Sequence, residues 1–194
     1  MTVALPTFQP SELVQLLGVG GIALGFAFQN IIQNFLAGII LLIDQPFKIG
    51  VQIIAGDVEG TVEVIQLRAT YLKKYDGRMV VMPNSDVLTS AVDVNTAFNI
   101  RRSEYDVGIS YDDDIERAQQ IMLEVMNEID DVLDSPQPDT IMTEMGDSAI
   151  VIRARWWSKS RQADVLRTQN IVLRTMKNRL EAEGFTIPFP IRTV

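Results

Sequence analysis

Leu13-Val-Gln-Leu-Leu-Gly18-Val-Gly-Gly21-Ile-Ala-Leu-Gly25-Phe-Ala-Phe-Gln29-Asn-Ile-Ile-Gln33-Asn34-Phe-Leu-Ala-Gly38-Ile-Ile-Leu-Leu-Ile43 is a run of 31 residues without one charged side chain. Glu12 and Asp44 close it at either end. A bilayer core needs roughly 20 helical residues, and this run as one straight helix would reach roughly 46 Å. It exceeds a simple span, although tilt absorbs part of an excess. Its polar residues, Gln15 apart, cluster at Gln29, Asn30, Gln33 and Asn34. The expectation is a spanning half over about 13–29, a bend, and a second half over about 31–43. The second half keeps Ile31, Ile32, Phe35, Leu36, Ile39 and Ile40 and suits an interface. A signal peptide fits poorly, because the basic flank is missing and the run is too long.

Small residues mark two sides of the first half. At about 100° per residue, with Gly18 at 0°, Gly21 and Gly25 fall at roughly 300° and 340°. Gly20, Ala23 and Ala27 fall at roughly 200°, 140° and 180° on the same wheel. A dimer needs one small face; two opposed faces let each helix pack a copy of itself on both sides, a heterologous contact that closes into a ring. Ile22 at about 40° and Phe26 at about 80° lie between them, with Leu24 and Phe28 on the remaining side. If Ile22 and Phe26 face inward, the ring centre is an apolar constriction that can gate by dewetting.

The rest of the chain is soluble in character. Of 194 residues, 22% are charged and 47% apolar, with Lys+Arg 17 against Asp+Glu 25 and a net charge of -8. An acidic chain repels phosphate backbones, which argues against an RNA binder. Cysteine and histidine are both absent. That removes disulfides, thiolate metal sites and the Ser-His-Asp triad. Asp112-Asp113-Asp114 reads as a solvated helix start rather than a metal site, and Pro83-Asn84-Ser85 as a turn. No constellation supports catalysis, and no cofactor or metal is expected.

Pro46 ends the long helix. Val51–Ile54, Gly60–Arg68, Thr70–Tyr75 and Met79–Met82 read as short strands, with turns at Gly56-Asp57 and Asp76-Gly77. Together they suggest a small barrel. Beyond residue 98 the order is strand (103–111), helix (from 113), strand (141–144), strand (150–157) and helix (closing at Gly184). That is a split βαβ, ferredoxin-like plan. Trp156 and Trp157 point to opposite faces of their strand. No Lys or Arg precedes the span and Lys48 follows it, so the soluble part is expected in the cytoplasm.

Gly18-Val-Gly-Gly-Ile-Ala-Leu-Gly-Phe-Ala-Phe-Gln29, Asn34-x-x-Ala37-Gly38 and Gln45-Pro46-Phe47-Lys48-x-Gly50 resemble the pore helix of small-conductance mechanosensitive (MscS-type) channels. The resemblance continues through Gly60-Thr-Val62, Leu67-Arg68-x-Thr70, Asp76-Gly77-Arg78, Pro83-Asn84-Ser85 and Pro188-Phe-Pro190. It covers about residues 14–194. It implies a homoheptamer, a pore helix in two parts, a five-stranded Sm-like β-domain and a ferredoxin-like αβ domain. The soluble domains would form a hollow cytoplasmic cage, with a C-terminal barrel strand over Ile187–Val194. The implied boundaries are 1–12 (remnant of a preceding loop), 13–47, 48–98 and 99–194.

The family's pore-closing ring falls on Ile22 and Phe26, and its packing positions on Gly18, Gly21, Ala23, Gly25 and Ala27. The helix break is assigned to Gln29, Asn30 and Gly38. The implied activity is release of ions and small solutes under membrane tension during hypo-osmotic shock, in a bacterial inner membrane. The alternative is a non-conducting, membrane-anchored ring scaffold. Family members carry at least two transmembrane helices before the pore helix, so the chain is expected to be truncated at its N-terminus. One closing ring is aromatic here, and Asn30 stands where some members break the helix at glycine.

Overall fold

The structure is a computed structural model and describes residues 10–188. The chain divides into two compact units, residues 1–93 and 94–194.

The first unit opens with α1, Pro10–Asp44, a 35-residue α-helix. Pro10 suits a first turn, where its missing N–H has no helical partner to lose. Residues 10–12 of the expected loop remnant (1–12) are thus already helical; residues 1–9 lie outside the described residues. The expected division into two parts is not what α1 shows. Helix runs unbroken through Gln29, Asn30 and Gly38. The reason is energetic. No proline falls inside the run, and Gln, Asn or Gly costs at most about 1 kcal/mol against alanine while leaving the i→i−4 ladder intact. Termination comes at Gln45, whose φ of 43° is left-handed, followed by Pro46.

Five strands follow: β1 (Gln52–Ala55), β2 (Val58–Ile65), β3 (Ala69–Lys73), β4 (Met79–Pro83) and β5 (Val92–Val94). They form one sheet in the order β4-β3-β2-β1-β5, with antiparallel pairing from β1 through β4. The β1–β2 turn needs the left-handed φ of 57° that Gly56 supplies. The register of β2 shifts between Val62 and Val64, a bulge that bends the strand. Ile53, Val62 and Leu72 of the strands are buried, as is Val87. Pro83-Asn84-Ser85 is not the expected turn. Pro83 closes β4, and α2 (Asn84–Thr89) starts at the next residue.

The second unit contains β6 (Ile100–Ile109), α3 (Ile115–Asn127), β7 (Asp139–Met145), β8 (Ile150–Lys159) and α4 (Gln162–Ala182). The sheet order is β6-β8-β7, antiparallel at both pairings. β8 alternates buried and half-exposed residues along its length, as a strand covered on one face must. Ile152, Ala154 and Trp156 from that face join Ile121, Met122 and Met126 of α3 and Val172, Met176 and Leu180 of α4 in one core. Trp157 points the other way and is half-buried. That second sheet face carries paired charges. Arg153 forks onto Asp106 at 2.7 and 2.8 Å, and Arg155 onto Asp139 at 2.6 and 2.7 Å. Asp114 caps α3 by accepting from the Arg117 amide at 3.1 Å. Asp113 accepts from the amides of Ser110 and Thr186, so two of the three acidic residues serve backbone amides. The barrel strand expected over 187–194 falls mainly on residues 189–194, outside the described residues; Ile187 and Pro188 are in neither helix nor strand.

Candidate functional site on the long helix

α1 is one continuous helical element, so an idealised wheel of about 100° per residue orders its faces. Ile22 and Phe26 stand at 64% and 73% exposure, on the sector the sequence assigned to the constriction. Below them Gln29 falls at roughly 20°, Gln33 at roughly 60° and Leu36 at roughly 0°. Ile22, Phe26, Gln29, Gln33 and Leu36 share one open groove along the helix.

The glycines of α1 separate into two kinds. A Cβ added at Gly18, Gly21 or Gly25 meets nothing within 4 Å. Their small size is not used by packing within this chain among the described residues. Gly38 is different. A Cβ there would collide with the Leu67 carbonyl and stand 2.5 Å from Asn84 Nδ2. Gly38 is therefore a close-packing residue under the β2–β3 connection, not a break in the helix. Ala23 and Ala27 are exposed, as are Gln29 and Asn30.

A polar joint next to Gly38 was missed by sequence reasoning. Ala37 and Leu41 are buried on the same side of α1, at 3% and 1% exposure. Asn34 Oδ1 accepts from both the amide and the hydroxyl of Ser85, each at 3.0 Å, while Asn34 Nδ2 donates to the Asn30 carbonyl at 2.9 Å. Asn84 is fully buried. Its Oδ1 accepts from Thr70 Oγ1 at 2.9 Å, and its Nδ2 donates to the Gln66 carbonyl at 2.8 Å. These bonds carry the cost of burying an amide, which unpaired would be destabilising. The four clustered amides of the sequence are thus sorted by face. Asn34 belongs to the joint, bonding Ser85 of α2, and Asn30 lends it only a backbone carbonyl; Gln29 and Gln33 belong to the stripe with Ile22 and Phe26. No sequence signal links Asn34 to Ser85 across 51 residues, though a Pro-Asn pair after an apolar strand is where a buried amide could be sought.

Ionisable groups stay away from this stripe: α1 carries none between Glu12 and Asp44. Elsewhere, the Arg78 side chain and amide bonded to Asp76 hold that carboxyl at about 2. Arg153 likewise holds Asp106 below the usual carboxylate range. Among the described residues, no group of three or more His, Cys, Asp or Glu could hold a metal ion.

The arrangement is that of a helix long and apolar enough to cross a membrane, over Leu17–Asp44, seated on a β-rich unit and presenting an exposed uncharged stripe. Comparisons with known proteins agree. The model of the mechanosensitive ion channel beta-domain matches residues 30–95, and that of the mechanosensitive ion channel MscS C-terminal region matches residues 103–187. An uncharacterised MscS family protein of Archaeoglobus fulgidus is 38% identical over 177 residues, covering 91% of this chain and 62% of that protein. The small-conductance mechanosensitive channel of Helicobacter pylori is 31% identical over 190 residues, covering 96% of this chain and 69% of that one. The crystal structure of Helicobacter pylori MscS in its closed state superposes with a TM-score of 0.88 at 28% identity, covering 97% of this chain and 74% of that chain. The chain belongs to the MscS family of mechanosensitive channels. It spans less than two thirds of the archaeal relative's length.

Proposed function

We propose that this chain is the pore-and-cage part of a mechanosensitive channel subunit, opened by membrane tension to release ions and small solutes on hypo-osmotic shock. The observation that carries the reading is the exposed Ile22–Phe26 stripe, flanked by glycines with no neighbour of their own. Such a helix packs copies of itself on both sides and closes a ring whose apolar centre dewets. Seven copies are proposed, by family resemblance. The five-stranded sheet, with β5 returning beside β1, supports an Sm-like domain. The β6-β8-β7 order with both helices on one face supports a ferredoxin-like one. The proposed setting is a bacterial inner membrane, in a protein with further spans, with the soluble units in the cytoplasm. Lipid, the other copies and the permeating ions are the proposed partners. Neither catalysis, a cofactor nor nucleic-acid binding is part of the proposal.

The joint at Asn34, Ala37, Gly38 and Leu41 supplies a ruler. It holds the last turns of α1 against the sheet and leaves about 21 residues, 13 to 33, for the bilayer. At about 1.5 Å each they span roughly 31 Å, the thickness of a hydrocarbon core. Patch recording of the full-length protein under graded suction tests the reading. Ile22→Ser or Phe26→Ser is expected to wet the constriction and lower the opening tension. An unchanged threshold in both removes these residues as the gate. Silence of the unsubstituted protein, with a ring still visible by mass, supports the non-conducting scaffold instead.

A further inference from the structure

The three glutamines of α1 share one narrow sector. On the wheel that puts Ile22 at about 40° and Phe26 at about 80°, Gln15 falls at about 60°, Gln29 at about 20° and Gln33 at about 60°. All three are exposed. The two asparagines of the same helix lie outside this sector, at about 120° and 160°, where Asn34 bonds to Ser85. Among the described residues the glutamines make no such joint. Along the axis Gln29 lies about 4.5 Å beyond Phe26, Gln33 about 6 Å further, and Gln15 about 10 Å before Ile22. The stripe therefore reads polar, apolar, polar, with amides on both sides of the constriction.

We infer that Gln15, Gln29 and Gln33 are wetting positions of the conduction path, rings of neutral carboxamides that receive the ion where it leaves the apolar constriction. This inference rests on the pore reading above. The chemistry follows from the side chain. A carboxamide offers two N–H donors and an oxygen with two lone pairs, so it replaces water around a cation through oxygen and around an anion through nitrogen. A ring of them lowers the cost of entering a dry segment without choosing a sign of charge. Asp, Glu, Lys or Arg at the same place would choose, as charged rings do in selective pores. The class of ligand is thus a hydrated small ion of either sign.

The experiment is single-channel recording of the full-length protein in a tenfold KCl gradient, with Ile22→Ser as control. Gln33→Glu is expected to raise the potassium-to-chloride permeability ratio, and Gln33→Lys to lower it, each on the order of threefold. Gln33→Asn, which keeps the amide, is expected to hold the original ratio. Gln33→Leu extends the dry segment and is expected to reduce unitary conductance about twofold. It provides the readout if the charged variants do not assemble. An unchanged ratio in both charged variants, or an unchanged conductance in Gln33→Leu, overturns the inference when Ile22→Ser still lowers the opening tension. If Ile22→Ser and Phe26→Ser also leave that tension unmoved, the pore face itself is wrong and the inference falls with it.

Discussion

Gly38 and Gly25 are the same residue type thirteen positions apart on one helix, and they do opposite things. At Gly38 the obstacle to a side chain is backbone, the Leu67 carbonyl, which cannot swing aside. Gly38→Ala is expected to destabilise the first unit by about 1–3 kcal/mol or to push α1 off its sheet, measured by thermal unfolding. Gly25→Ala meets nothing within the chain. It should not lower that unfolding temperature, and the better helix propensity of alanine should stabilise α1 by at most about 1 kcal/mol. Asn84 supplies a second residue-scale test. Asn84→Ala orphans Thr70 Oγ1 and the Gln66 carbonyl, both held by its amide. The expected cost is about 1–3 kcal/mol. A third concerns Asp76, whose carboxyl titrates at about 2 because of Arg78. A depressed carboxylate stabilises the fold above its ordinary range and loses that contribution as pH falls from about 4 towards 2. In Arg78→Ala the carboxyl resonance of Asp76 should titrate near its ordinary value, and the acid sensitivity in that window should disappear.

Elements were legible where one side chain pattern dominates. β8 alternates strictly, and the apolar residues of α3 recur at helical spacing, so both could be read from sequence within a few residues. Asp114 before Ile115 was a readable start. Replacing Asp114 with Ala is expected to cost about 1 kcal/mol of helix stability, read by unfolding of the second unit. The continuity of α1 was not legible. Four amides in six residues look like an interruption only while their faces are unknown; placed on a wheel, they separate into two faces, Asn34 bonding Ser85 and the glutamines standing exposed, while the helix continues through them. α2 was hidden for another reason. Six residues are too few for a period to show, and its buried Asn84 and Ser85 look like turn residues.

For the whole molecule, the sequence could nominate the proposed constriction because Ile22, Phe26 and the small residues lie within one short stretch, where helical geometry alone fixes their relation. The joint was not legible, because Asn34 and Ser85 meet across 51 residues of intervening sheet, and pairing over that distance is a property of the fold. The same division separates folding from assembly. Gly21→Leu with Gly25→Leu is expected to leave the circular dichroism of the soluble units unchanged, since neither position touches the rest of the chain. Mass measurement in detergent should show the ring lost. A double variant that assembles normally would remove the small-residue faces as the contact between copies.

The seat of α1 on its sheet has a mechanical corollary. Gly38 over the Leu67 carbonyl and Asn34 on Ser85 act together as a key in a slot. A shaft keyed in this way can lean or slide with its hub, but it cannot spin within it. Turning α1 by a single residue, about 100°, would drive a side chain into backbone at one point and strip both bonds at the other. The Asp44 end of this helix therefore carries torque into α2 and the β2–β3 connection, and in the proposed pore any widening at the far end comes from tilt, or from the hub turning too.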